Sequence, residues 1–281
     1  MPIVKRPGQP EIHYVVDDYT DPWRNAPYLV LQHGNGRSSR FWYSWIPYLS
    51  RFYKIVRPDA RGLGQSGADF DLERDVTVEN MVGDILAVLD QIGADSVHFC
   101  GESMGGILGM ALAAMYPHRV RTLTLVSTPV YISDKMKEKY SMGHKSRVDA
   151  MKEMGRDAWL KATNRSTRFP PETDPALLEW YEAEFARSSN DVQLAMARLV
   201  NGANASSFLE KIAAPVLGLF PTDGPITSAE QEKLLIEKLR SFRLIHLATR
   251  YHMVHHVAPA TCATHLLHFI ALHDGVPCHE N

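Results

Sequence analysis

A serine between two glycines is the residue of this sequence best suited to covalent chemistry. Residues 101–105 read GESMG, and they follow an apolar run typical of a strand and precede an apolar helical pattern. A G-x-S-x-G sequence in this context makes a sharp strand-to-helix turn that projects the serine hydroxyl beyond the edge of the sheet. Ser103 is therefore predicted to be a nucleophile.

A serine hydroxyl is a weak nucleophile at neutral pH and needs a general base beside it. Among the 13 histidines, His252 is the preferred base because it lies between the last predicted strand and the last predicted helix. A loop in that position reaches the sheet edge where Ser103 is expected. His255 and His256 lie in the same loop and remain alternative bases, with His255 the stronger of the two.

The base in turn needs a carboxylate that fixes its tautomer and stabilises the imidazolium. Asp223 is assigned this role because it comes directly after the apolar run at residues 216–220. The chain order Ser103, Asp223, His252 is the order expected for a triad on this kind of sheet. The alternative is that Asp223 is only a turn residue, in which case Asp134 is the substitute acid.

Two backbone N–H groups are predicted to stabilise the oxyanion that forms when a carbonyl is attacked. One belongs to Met104, because the first N–H groups of a helix have no intrahelical acceptor. The other belongs to Asn35 in the loop at residues 33–36 (HGNG), where two glycines allow the backbone to approach the nucleophile closely. The alternative for these glycines is a simple turn.

Short apolar runs alternate with helical patterns and place these residues in a fold. Runs typical of strands covered on both faces occur at residues 28–33, 53–58, 96–100, 121–127, 216–220 and 242–247. Helices are predicted at residues 104–115, 229–239 and 260–272, and another after the N-cap Thr77. This alternation predicts an α/β fold with a mostly parallel sheet and helices on both faces.

Residues 131–208 contain helical patterns only and are predicted to form an inserted helical cap, or lid. The core would then comprise residues 1–130 and 209–281. Six residues in or near the cap and the catalytic loops are candidate substrate contacts, although each could equally pack in the interior. They are Trp42, Tyr43, Trp159, Trp180, Tyr181 and His255.

Composition excludes several other classes of protein. The 281 residues include 30 Lys and Arg against 32 Asp and Glu, so no basic field exists to gather nucleic acid or anionic lipid. No secretory signal and no apolar run long enough to span a membrane are present, and Cys100, Cys262 and Cys278 lack the spacing of a metal or redox site. These features predict a cytoplasmic protein with a small-molecule substrate and no cofactor or metal, while its oligomeric state, a homodimer included, stays open.

Taken together, the motifs resemble the α/β-hydrolase family. The matching segments are residues 33–36 (HGNG), 59–66 (DARGLGQS), 101–106 (GESMGG), 221–227 (PTDGPIT) and 252–259 (HMVHHVAP). Residues 98–120 look most like the branch of 3-oxoadipate enol-lactonases and related esterases. The resemblance implies an eight-stranded sheet under a helical lid, the triad Ser103, Asp223 and His252, and an oxyanion hole at Asn35 and Met104.

Three positions depart from the family pattern. Tyr251 stands where a glycine usually precedes the catalytic histidine, Val257 where a glutamate usually follows it, and Phe220 where the acid turn often has glycine. The triad itself is intact, so we expect a serine hydrolase that cleaves a small carboxylic ester or lactone through an acyl-enzyme. Carbon–carbon bond hydrolysis or cofactor-free perhydrolysis with the same triad is the alternative. A non-catalytic ligand receptor on the hydrolase scaffold is a third reading.

Overall fold

The computed structural model describes residues 2–275, in which eight strands form a single mixed sheet. The strands are β1 (Ile3–Val4), β2 (Ile12–Asp17), β3 (Tyr28–Gln32), β4 (Lys54–Pro58), β5 (Val97–Glu102), β6 (Val120–Val126), β7 (Val216–Pro221) and β8 (Phe242–Leu247). Their order across the sheet is β1-β2-β4-β3-β5-β6-β7-β8. β2 pairs antiparallel with β1 and β4, and the remaining pairs are parallel, so β3 and β5 to β8 end at one edge.

All six strands predicted from apolar runs are present, and their ends differ from the predicted ones by at most two residues. β5 and β7 are buried at every position because helices cover both faces of the sheet. The sequence analysis did not locate β1 and β2. β1 has only two residues, and β2 carries the polar residues His13 and Asp17, so neither forms a continuous apolar run.

Six α-helices accompany the strands. They are α1 (Ile46–Leu49), α2 (Val78–Gln91), α3 (Met104–Met115), α9 (Ala229–Lys238), α10 (Val254–Val257) and α11 (Pro259–Asp274). The hydroxyl of Thr77 accepts a hydrogen bond from the backbone N–H of Asn80 at 3.1 Å, which confirms the predicted N-cap of α2. The helices predicted at residues 104–115, 229–239 and 260–272 are confirmed as α3, α9 and α11.

Five further α-helices lie between β6 and β7, in residues 131–208, which we call the helical insertion. They are α4 (Asp134–Ser141), α5 (Arg147–Glu153), α6 (Arg156–Thr163), α7 (Pro175–Phe185) and α8 (Asn190–Gly202). A turn of π-helix, Asn164–Arg168, continues α6. The only strand pairing inside this segment, all of which is described, is an isolated bridge between Tyr131 and Asn204.

Two features of the described residues bear on the compositional predictions. Cys100 and Cys262 are buried and form no disulfide, while Cys278 lies outside residues 2–275. No helix in that range combines the length and the apolar composition needed to cross a bilayer.

Candidate active site

Ser103 occupies a strained turn between the end of β5 and the start of α3. Its φ of 54° and ψ of −116° are unusual for a residue with a side chain. Its backbone N–H donates to the carbonyl of Val126 at 3.0 Å, and its carbonyl accepts from the N–H of Gly106 at 3.0 Å. Strain of this kind persists only where the surroundings hold it and is concentrated at functional sites. The turn therefore has the geometry that the G-x-S-x-G sequence predicted.

The flanking glycines allow β3, β5 and α3 to come close enough to make this turn. A Cβ atom on Gly101 would lie 2.3 Å from the backbone carbon of Gly105. One on Gly105 would lie 2.3 Å from the carbonyl oxygen of Gln32 in β3. Because both obstacles are backbone atoms, a larger residue at either position would push the elements apart.

A narrow cavity opens at Ser103. Asn35, Met104 and His252 line it, so the structure brings the predicted nucleophile, oxyanion-hole residues and base together. Within residues 2–275, the backbone N–H groups of Asn35 and Met104 donate to no other residue. Two N–H groups are thus free to bind an oxyanion beside Ser103.

His252 is 3% exposed, and its backbone N–H donates to the carbonyl of Thr167, in the π-helical turn, at 2.9 Å. Its Nε2 lies 3.2 Å from Oε1 of Glu102, the residue before Ser103. Its Nδ1 has no hydrogen-bond partner among the described residues. Nε2 therefore faces a carboxylate at ion-pair distance, while Nδ1 is buried without a partner.

Glu102 is a site residue that the sequence analysis missed. Its fully buried carboxylate accepts from Nη1 of Arg37 at 2.9 Å through Oε2. Burial alone would raise the pKa of Glu102, but the charge of Arg37 and the hydrogen bond from His252 outweigh it and hold the pKa well below its usual range. Glu102 is therefore ionised. The signal that could have found it is an acidic residue at the end of a strand that is mostly apolar.

Asp223 does not contact His252 in this structure. Its side chain is exposed at the end of β7, where it shares a surface cavity with Thr167 and Tyr251, the residue before the histidine. Its φ of 52° makes it, like Ser103, one of only four described non-glycine residues with positive φ. The substitute acid Asp134 lies at the surface at the start of α4, where Lys137 donates to it at 3.1 Å.

His255 and His256 are packing residues rather than cavity walls. Their rings lie 4.4 Å apart, and the ring of His255 lies 5.2 Å from that of Trp42. Burial lowers the pKa of His255 well below its ordinary value and that of His256 to about 3. Both imidazoles are therefore neutral, and neither lines the cavity at Ser103.

The six candidate substrate contacts lie outside the set of residues that line this cavity. Trp42 and His255 are buried under the catalytic loops, and Trp159 is in the core of the helical insertion. The rings of Tyr43 and Trp180 meet at 5.2 Å near the surface, and the hydroxyl of Tyr181 accepts from Nε of Arg37 at 3.1 Å. Large rings find most of their contacts in packed interiors, so aromatic type alone does not mark a cavity wall.

The buried His256 makes stability depend on pH. Between its ordinary pKa of 6.5 and its lowered pKa of about 3, the folded protein binds fewer protons at this residue than the unfolded chain does. The stability that the neutral His256 contributes is therefore fully present above pH 6.5 and is lost as the pH falls towards 3. We expect the free energy of unfolding to fall by up to about 1.4 kcal/mol per pH unit because of this residue.

Urea unfolding of the wild type and of His256→Phe, followed at several pH values between about 7 and 4, measures this effect. Phenylalanine keeps an aromatic ring in the cluster but cannot bind a proton, so the variant should show a shallower loss of stability with acidification. Equal slopes for the two proteins would contradict the expectation.

The chain belongs to the α/β-hydrolase fold family, whose sequence model matches residues 27–168. The putative carbamate hydrolase RutD of Pseudomonas savastanoi is 26% identical over 258 residues, which cover 88% of this chain and 94% of that protein. The 3-oxoadipate enol-lactonase 2 of Acinetobacter baylyi is 24% identical over 218 residues, or 76% of this chain and 78% of that one. The crystal structure of the enol-lactonase from Burkholderia xenovorans matches with a TM-score of 0.83 at 23% identity, covering 96% and 100% of the two chains. The resemblance seen in the sequence and the fold class are thereby confirmed.

Proposed function

We propose that the protein is a hydrolase that cleaves a small carboxylic ester or lactone through an acyl-enzyme on Ser103. The observation that carries the proposal is the strained Ser103 at a narrow cavity that also holds His252 and two free backbone N–H groups. The names of the relatives, a carbamate hydrolase and enol-lactonases, support hydrolysis as the class of reaction.

The reaction begins when Oγ of Ser103 attacks the substrate carbonyl and His252 takes its proton. The N–H groups of Asn35 and Met104 stabilise the resulting oxyanion. The C–O bond to the leaving alcohol then breaks, and the imidazolium returns the proton to that oxygen. Water deprotonated by His252 attacks the acyl-enzyme, which releases the acid and restores Ser103.

His252 must be neutral to accept this proton. Burial lowers the pKa of His252 below its ordinary value, while the hydrogen bond to Glu102 and the charge of that carboxylate act in the opposite direction. The net lowering keeps the imidazole neutral at pH 7 and available as a base.

Two carboxylates compete for the role of orienting His252. Asp223 is our proposed acid, because of its place in the chain order and because its strained backbone adjoins the histidine loop at the same sheet edge. Glu102 is the second candidate, favoured by its 3.2 Å contact with Nε2. The choice matters chemically: pairing with Asp223 requires the ring to turn so that Nε2 faces Ser103, whereas pairing with Glu102 leaves Nδ1 as the base.

We also propose that the helical insertion acts as the cap of this site. Six of the residues that line the cavity at Ser103 come from it, namely Ile132, Met136, Tyr140, Arg147, Arg168 and Val200. It also bonds directly to the base loop, since the carbonyl of Arg168 accepts from the N–H of Met253 at 3.1 Å. Excluding water strengthens the electrostatic interactions inside such a cavity.

Pre-steady-state hydrolysis of 4-nitrophenyl acetate tests the acyl-enzyme. We expect a burst of nitrophenol equal to the concentration of enzyme, because acylation of Ser103 releases the alcohol before water releases the acid. A burst that persists in Ser103→Ala would refute the assignment of the nucleophile. If esters and lactones are not turned over but a dienone is hydrolysed, carbon–carbon cleavage is favoured. If the protein only binds a ligand tightly and turns over none of these compounds, a receptor role is favoured.

A further inference from the structure

Two buried arginines of the helical insertion line the cavity at Ser103. Arg147, the first residue of α5, is 9% exposed, and Arg168, the last residue of the π-helical turn, is 3% exposed. Both line the same cavity as Ser103 and His252. A long charged side chain is rarely buried without a partner, so the contacts of these two need an explanation.

Neither arginine is neutralised by a carboxylate within residues 2–275. Arg147 donates no hydrogen bond to any of these residues, and its Nε is buried without a partner. Arg168 reaches only neutral oxygens through Nη1, the hydroxyl of Thr163 and, at 3.3 Å, Oδ1 of Asn164, and its Nε is also unpaired. Arg37, in the same cavity, differs because Glu102 neutralises it.

The two guanidinium groups are held by the faces of the same two aromatic rings. Arg147 lies 4.8 Å from the ring centre of Trp159 and 5.2 Å from that of Tyr140. Arg168 lies 5.2 Å and 5.6 Å from the same centres. Burial and the neighbouring charge of Arg168 lower the pKa of Arg147 to about 10, which still leaves it protonated at pH 7. Stacking on rings orients the cations but supplies no counter-charge.

Two buried positive charges with no anion between them are costly, and a bound anion would relieve that cost. A guanidinium binds a carboxylate with two parallel hydrogen bonds, and a second guanidinium beside it can share the same anion. We propose that Arg147 and Arg168 form a binding site for a carboxylate at the far end of the acyl group, so that the substrates are short esters or lactones that carry a free acid. This inference rests on the proposed function.

The remaining wall of the cavity suits the chain that would connect the two ends of such a substrate. Ile107, Ile132, Met136 and Val200 supply apolar surface in the cavity that the catalytic residues and the arginines also line. The acid group would stay unchanged in the reaction, because only the ester C–O bond at Ser103 breaks. The charge would serve to place the carbonyl at the oxyanion hole.

The ratio of kcat/KM for two matched esters measures this preference. Mono-4-nitrophenyl glutarate carries a carboxylate at the end of its acyl chain, and 4-nitrophenyl valerate is its neutral counterpart. We expect the wild type to favour the glutarate by about 100-fold or more. Arg147→Met and Arg168→Met should each reduce the ratio by about 10- to 100-fold, since each removes a charge-assisted bidentate contact. A variant that is only partly folded would lower both rates and leave the ratio unchanged.

Arg165→Met is the matched control, because Arg165 lies in the same π-helical turn but is exposed. It removes the same charge and should keep the wild-type ratio. If the wild type prefers the neutral ester, or if neither Arg147→Met nor Arg168→Met changes the ratio, the carboxylate site is refuted. If the ratio is unchanged but the nitrophenol burst is present, only the carboxylate site is refuted and the proposed function is retained. If the wild type turns over no ester at all, the proposed function itself is contradicted.

Binding without turnover gives an independent readout. In the Ser103→Ala background, we expect monomethyl glutarate to bind at least about tenfold more tightly than dimethyl glutarate by calorimetric titration. Adding Arg168→Met should remove that difference. Equal affinity of the two esters for the Ser103→Ala protein would contradict the proposal even if no substrate were turned over.

Discussion

Ser103→Ala is expected to reduce kcat for 4-nitrophenyl acetate by at least about 10³-fold. Removing the nucleophile eliminates the acyl-enzyme path, and only the binding of substrate and the oxyanion donors of Asn35 and Met104 remain. Steady-state rates, corrected for active protein by a folded-fraction measurement, give the comparison. KM should change far less than kcat, because the hydroxyl contributes mainly in the transition state.

Ser207→Ala is the control for this experiment, because Ser207 is an exposed serine in the 3₁₀-helix Ser206–Lys211, away from the cavity. It should retain wild-type kcat. A residual rate in Ser103→Ala within tenfold of the wild type would mean that ester hydrolysis does not pass through this serine.

Asp223→Asn is expected to reduce kcat by about 10³- to 10⁴-fold, because an amide cannot stabilise the imidazolium and favours the wrong tautomer. Glu102→Gln should cost roughly tenfold or less if Glu102 only supports the base. The two variants, measured side by side with the same ester, assign the orienting carboxylate. A loss of 10³-fold in Glu102→Gln with near-normal activity in Asp223→Asn would reverse the assignment and make Nδ1 of His252 the base.

The pH profile of Glu102→Gln separates a catalytic effect from a structural one. Glu102 raises the pKa of His252 against the effect of burial, so its removal should move the acid limb of kcat/KM to lower pH. A variant that had merely lost stability would show a lower rate with the limb unmoved. Thermal unfolding serves as a check, because Arg37 loses the carboxylate that neutralises it.

The sequence predicted those parts of the fold that follow from runs of apolar residues and from the positions of glycines. β5 and β7 were recognisable because most of their residues are apolar, and both strands are buried at every position. The turn at Ser103 was recognisable because only glycine tolerates the close approach of backbone atoms around it. β1 and β2 escaped recognition because β1 has only two residues and the polar His13 and Asp17 interrupt the apolar pattern of β2.

The partners of charged and aromatic side chains were not predictable in this way. Glu102 reads as the variable position of a motif, yet it lies between Arg37 and His252, which are 65 and 150 residues distant in the chain. Trp42, Trp159 and Tyr181 were expected at the substrate, but their rings pack in the interior. The type of a residue limits the contacts that its side chain can make, and the tertiary structure determines which of those contacts forms.

The sequence by itself determined the fold class, the position of the strained turn at Ser103 and the identity of the loops that meet it, because these follow from periodicity and from the steric demands of one turn. Tertiary structure alone decided which carboxylate contacts His252 and which arginines are buried at Ser103. Those contacts join residues far apart in the chain, and their energies depend on burial and on the charges nearby, neither of which a linear pattern contains. Asp223 remains the predicted acid because of its place in the sequence. The proposed carboxylate site at Arg147 and Arg168 rests on tertiary contacts.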